Sequence, residues 1–232
     1  MKIAVRGGHC PRVTGAVGII NELTEDRKVK DAVIKYLKFL GHSVLDVTPP
    51  DNTNTVNSDL AYGVNKANNW GADLFVSVHF NKAYNTYSGA LGSEVCVYST
   101  FDTAQRVVNG LGSLGFKNRG QKVRTGLYEL NNTTMQAMII EVCFVEASDD
   151  VALYKKLGSD TVGKRIAESI ANKQVSTSYN PTVPANPPAT TNGETFYRVI
   201  AGSFKDRANA EKMKQELAEK GFNGAFIDIL KK

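Results

Sequence analysis

The sequence predicts an α/β fold: a twisted, mostly parallel sheet flanked by helices, with a small β-α-β unit toward the C-terminus. Short apolar runs of strand length alternate with longer stretches whose apolar residues recur at helical spacing. The run AMIIEVCFV at 137–145 is nearly all apolar, as a central strand covered on both faces must be. Such alternation implies parallel strands joined by helical crossovers.

In chain order, residues 2–6 form a short apolar strand that ends at Gly7-Gly8. From 23 to 40, Val29, Ala32, Val33, Tyr36, Leu37 and Leu40 make a helical stripe, stopped by Gly41. Residues 43–47 read as a second strand. A helix over 58–70, with Leu60, Ala61, Val64 and Ala67 on one side, precedes a strand over 73–80. A strand over 94–98 leads into a helix over 103–114. After the central run at 137–145, a helix over 161–172 closes the large domain. The segment 174–195, QVSTSYNPTVPANPPATTNGET, then changes the texture of the chain. Its prolines stand among Thr, Asn, Ser and Ala with little to bury, which describes a semi-extended linker. It separates a domain at 1–173 from a unit at 196–232.

The 232 residues suffice for one full domain and a small companion. The net charge of +5 is spread along the chain without a basic block, which argues against a nucleic-acid partner. No stretch approaches the roughly 20 apolar residues that span a bilayer. The N-terminal MKIAVRGGHC lacks the apolar core of a secretory signal. The expectation is synthesis in the cytoplasm. Cys10, Cys96 and Cys143 are odd in number and share no CxxC spacing, so they read as small buried residues.

Ligands of open α/β sheets gather beyond the carboxyl ends of the strands. His9 falls there, just past the first strand, where two glycines let the backbone turn. His79 ends the strand LFVSVH, and Glu22 stands where the first helix begins, beside the first loop. Two imidazoles and a carboxylate are a common catalytic zinc set that leaves a position open. Taken singly, either histidine reads as a structural hydrogen-bonder and Glu22 as a solvated charge favoured by the helix dipole. His42, in a turn after Gly41, has no visible partner and reads as surface. Glu141 is the only charged residue inside MIIEVCFV, where an uncompensated charge costs several kcal/mol. Burial would raise its pKa and a nearby cation would lower it, which poises a general acid/base. The competing reading is a structural carboxylate satisfied by backbone or Arg.

At these residues the chain resembles the zinc-dependent N-acetylmuramoyl-L-alanine amidases, a group that includes phage endolysins and sporulation wall hydrolases. The resemblance covers 1–173. It rests on GGH at 7–9, Glu22, SVHFN at 77–81, RGQKVRTGLYELNNTTMQAMIIEV at 119–142 and MIIEVCFVEASDD at 138–150. It implies one Zn²⁺ bound by His9, Glu22 and His79. It implies Glu141 as the base that takes a proton from water and later protonates the leaving amine. The expected reaction is peptidoglycan hydrolysis between N-acetylmuramic acid and L-alanine, performed on the wall after release in phage or mother-cell lysis. The opening RGGHC departs from the family's Asp-Pro-Gly-His-Gly, and Cys143 stands where the family commonly has Gly.

The C-terminal FYRVIAGSF, DRANAEKMKQELAEKG and GAFIDIL read as strand, helix and strand, with Ala210, Met213 and Leu217 inward. This resembles half of a sporulation-related (SPOR) repeat, a peptidoglycan-binding module. So short a unit buries too little core to stand alone. Two chains are therefore expected to pair through it, or it docks on the catalytic domain. Two other functions fit the same residues: a zinc peptidase cutting within the stem peptide, and a non-catalytic wall-binding protein.

Overall fold

The computed structural model describes residues 1–175, 206–219 and 227. Contacts divide the chain at Tyr179/Asn180, inside the segment expected as a linker. That segment beyond 175 and both strands expected in the C-terminal unit lie outside the described residues.

Six strands form one sheet: β1 (Lys2–Gly7), β2 (Ser43–Asp46), β3 (Leu74–Asn81), β4 (Ser93–Val97), β5 (Asn118–Val123) and β6 (Gln136–Phe144), in the order β2-β1-β3-β6-β4-β5. β2, β1, β3 and β6 are mutually parallel. β4 runs antiparallel to β6, and β5 runs parallel to β4. The mostly parallel sheet expected from the alternating pattern is present. The apolar run centred on β6 lies inside it, between β3 and β4, which is why it needs no polar face.

The two faces of the sheet differ. Ile3, Val5, Leu74, Val76, Val78, Met138, Ile140, Val142, Val95 and Val97 point to the larger core. Helices α1 (Glu22–Phe39), α3 (Asp102–Ser113), α5 (Ser148–Leu157) and α6 (Ser159–Ala171) cover it, contributing residues such as Val33, Val107, Val151 and Ile166. The alternate positions Ala4, Phe75, Ala137, Ile139 and Cys96 form a smaller core under α2 (Val56–Trp70) and the five-residue α4 (Tyr128–Asn132). Followed toward the carboxyl ends of β1, β3 and β6, this second set turns polar: Arg6, Ser77, His79 and Glu141. Period-2 alternation thus separates the face that stabilises the domain from the face that presents chemistry.

Three elements were not anticipated. β5, NRGQKV, is a polar, partly exposed edge strand with Gly120 at φ 76° and a register shift, so it carries no apolar alternation. α4 is too short for a helical stripe. α5 starts at Ser148, within a stretch whose acidic residues obscure its apolar face. In the C-terminal unit, α7 (Arg207–Glu219) falls where a helix was expected. Ala210, Met213 and Leu217 are its partly buried positions among those described.

α1 and α6 cross closely at Gly163, where a Cβ would collide with the Ala32 side chain and the Val29 carbonyl. Gly163→Val is expected to cost about 1–3 kcal/mol by overpacking this crossing. The readout is a lower urea midpoint at unchanged slope, and an unchanged midpoint would contradict the packing described.

Candidate metal centre

Glu22 is the first residue of α1, whose N-cap Asn21 accepts a hydrogen bond from the Thr24 amide at 3.2 Å. A carboxylate there is favoured by the helix dipole. Its Oε1 accepts from the Phe80 amide at 3.0 Å, and its Oε2 accepts from the Ala16 amide at 2.5 Å. The same Oε1 lies 3.2 Å from His9 Nε2 and 3.0 Å from His79 Nδ1. Three residues far apart in sequence thus offer donor atoms that all lie within 4.8 Å of one another.

The remaining ring nitrogens are also engaged. His9 Nδ1 is 3.2 Å from the Val13 carbonyl, and His79 Nε2 is 3.0 Å from Ser77 Oγ. Protons on those two nitrogens leave lone pairs on His9 Nε2 and His79 Nδ1, the atoms that face Glu22. Backbone without side chains makes the room. A Cβ on Gly8 would collide with the His79 ring, and one on Gly15 with the Glu22 carboxylate and the His9 ring.

Glu141 sits in register with His79 on the neighbouring parallel strand, so the two side chains share a face. Glu94 is opposite Glu141 on β4 and is held by Arg119 Nε at 2.7 Å and Asn81 Nδ2 at 3.3 Å. Glu141 has no such cation. Its Oε2 is enclosed and has no hydrogen-bond partner among the described residues.

The site is short of positive charge. Burial opposes ionisation of Glu22, but the His79 and His9 contacts overcome it and hold the carboxyl well below its usual range. Burial disfavours a charged His79, yet Glu129 and Glu22 pull its pKa well above the ordinary value. Burial, reinforced by the charges of Glu22, Glu94 and Glu129 against the opposing His79, pushes Glu141 up to about 7. Asp26, one turn beyond Glu22, is fully buried, neither oxygen has a hydrogen-bond partner among the described residues, and burial raises it to about 7. Carboxylates that hold an imidazolium so firmly would also hold a metal cation in its place. The donor set, two imidazoles and a carboxylate with ligand atoms within 4.8 Å of one another, fits a zinc ion.

All four expected site residues are therefore brought together. The three cysteines are buried and free. Burial pushes Cys10 and Cys143 upward and Cys96 up to about 12, so none offers a thiolate near neutral pH. His42 is half-buried at the turn between α1 and β2, at the other end of the sheet.

A second group of buried charges lies behind His79. Arg6 is fully buried and pairs with Asp59 and with Glu129, its Nη1 being 2.9 Å from Glu129 Oε1. Arg6 carried the signal that singled out Glu141, a charge inside an apolar strand. Glu129, in YELNN, carried none. Glu146 and Asp150 also act here: Glu146 Oε1 accepts from the Ala83 and Tyr84 amides, and Asp150 Oδ2 from those of Leu91 and Gly92, tying down the loop after β3.

Gly15→Ala should displace Glu22 and His9 together and weaken Zn²⁺ binding by about tenfold or more. Calorimetric titration of the folded variant measures this, and wild-type affinity would contradict the convergence described.

A family profile described as N-acetylmuramoyl-L-alanine amidase matches residues 3–173. A SPOR domain profile matches 164–228, its first residues falling in α6. An uncharacterized protein of Clostridium perfringens is 48% identical over 186 residues, 78% of this chain and 55% of that protein. With a second Clostridium perfringens protein at 53%, the chain spans about half the length of these relatives. The N-acetylmuramoyl-L-alanine amidase CwlM of Bacillus licheniformis is 26% identical over 234 residues, 98% of this chain and 85% of that protein. Among solved structures, the catalytic domain of the CD27L endolysin targeting Clostridia difficile superposes with a TM-score of 0.69. It is 32% identical, covering 75% of this chain and 99% of that one.

Proposed function

The chain belongs to the N-acetylmuramoyl-L-alanine amidase family, and we propose that it hydrolyses peptidoglycan at the amide joining N-acetylmuramic acid to L-alanine, with one Zn²⁺ held by His9, Glu22 and His79. The observation that carries this reading is the convergence of those three donors beside a separate, unpaired carboxyl, Glu141. Glu94, on the facing strand, is by contrast held by Arg119.

Bound zinc supplies a Lewis acid that polarises the scissile carbonyl and acidifies water. His9 and His79 present fixed lone pairs because their other nitrogens face the Val13 carbonyl and the Ser77 hydroxyl. Glu141 takes the proton of the attacking water and returns it to the departing nitrogen of L-alanine. Glu94, held by Arg119, lies opposite Glu141 on β4 and is among the neighbours that push the Glu141 carboxyl up.

The SPOR-like region adds a second hold on the wall. The unit expected at 196–232, beyond the linker expected at 174–195, is too short to bury a core alone and would therefore need to pair with a second copy or dock on 1–173. Sedimentation velocity separates these arrangements. Among the described residues no helix is long and apolar enough to cross a membrane. The site of action in this reading is the cell wall, reached in phage or mother-cell lysis.

The test is product analysis on purified wall. Intact glycan, intact stem peptide and new L-alanine amino termini are expected, with loss of activity on chelation and recovery with Zn²⁺. Glu141→Gln should lower turnover by about 100-fold or more while leaving the fold intact. Cleavage within the stem peptide would reassign the enzyme as a peptidase. Binding without any release would leave only a wall-binding protein.

A further inference from the structure

We propose that Glu129, held by the buried Arg6 and acting through Ser77, is a positioning residue that sets the His79 ring for metal binding. This rests on the metal-site reading above and extends it to residues that touch neither metal nor substrate. His79 Nε2 lies 3.0 Å from Ser77 Oγ, and that hydroxyl lies 3.3 Å from Glu129 Oε1. The imidazole N–H donates to the hydroxyl, and the hydroxyl donates to the carboxylate. Glu129 Oε2 also stands 3.8 Å from the same ring nitrogen, close enough for its charge to act directly. With Nε2 so engaged, Nδ1 is the nitrogen left to face Glu22.

Glu129 is nearly fully buried, and what keeps its charge there is Arg6. The guanidinium is shared: Nη1 meets Glu129 and the Asp59 carbonyl, while Nε and Nη2 donate to the carbonyls of Gly7 and Gly8 at 3.1 and 2.7 Å. Those two glycines lead directly into His9. One side chain therefore braces the turn that presents His9 and the carboxylate behind His79. A buried group of one cation and two carboxylates is weak evidence of added stability, since apolar replacements often serve as well. Its placement behind the His79 ring and against the turn that leads into His9 supplies another reason for it. The ring orientation of a metal-binding histidine depends on the partner of its second nitrogen, and losing that partner weakens metal binding.

The experiment measures Zn²⁺ affinity of the full chain by competition with a chromophoric chelator, alongside the visible spectrum of the Co²⁺-loaded protein. Glu129→Gln keeps the shape of the side chain and leaves Arg6 paired with Asp59. Its affinity should fall about tenfold to hundredfold, with a changed Co²⁺ absorption band. Ser77→Ala, which leaves the Arg6–Glu129 pair in place, should weaken binding in the same direction. A purely structural role would lower the melting temperature of the metal-free protein and leave the affinity of the folded fraction unchanged. Wild-type affinity and spectrum in folded Glu129→Gln would overturn the proposal. If that variant does not fold, the same result in Ser77→Ala overturns it. His79→Ala separates the two levels: undiminished binding there sinks the metal site itself, whereas lost binding there with unchanged Glu129→Gln and Ser77→Ala sinks only the positioning role.

Discussion

The Glu22 carboxylate, held between two imidazoles, is the contact on which the rest of the architecture bears. Its Oε1 faces His9 and His79 at once and also accepts the Phe80 amide. A buried carboxylate is tolerated only when its lone pairs and charge are answered. The answers come from two separate parts of the fold: the loop between β1 and α1, which gives His9 and the Ala16 amide, and the end of β3, which gives His79 and the Phe80 amide. The sheet is what lets them meet. β1 and β3 are neighbours, so both strands deliver a histidine to the same edge, and α1 begins above that edge.

The same sheet divides its labour by parity. One set of alternate positions is aliphatic along its length and packs under four helices, which is where the apolar burial lies. The other set is apolar only under α2 and α4 and turns polar at Arg6, Ser77, His79 and Glu141. Chemistry is thereby attached to strands whose opposite side is fixed by packing, and a site on rigid strands holds its geometry better than one on loops alone. Arg6 marks where a buried cation, rather than another apolar residue, closes this second face.

Much of this was legible in the sequence where physics leaves a period or an anomaly. The helical stripe through Val29, Val33 and Leu37 and the double-sided apolar run around Ile140 report burial directly, and both elements are present. Glu141 stood out because a charge in such a run needs a reason. His9 and His79 stood out because one follows a strand and the other stands at a strand's carboxyl end. What escaped notice has a common cause. β5 is a half-exposed edge, α4 is a single turn, and Glu129 occupies that turn, so none shows periodicity. Glu129 is placed by contacts with Arg6, Ser77 and His79, which no linear spacing displays.

X-ray absorption at the zinc edge of the full chain tests the central claim most directly, because it reads the identities of the atoms around the ion. Two imidazole nitrogens at about 2.0–2.1 Å and a carboxylate oxygen at about 2.0–2.2 Å are predicted. A sulfur at about 2.3 Å, or a shell without imidazole, would contradict the account.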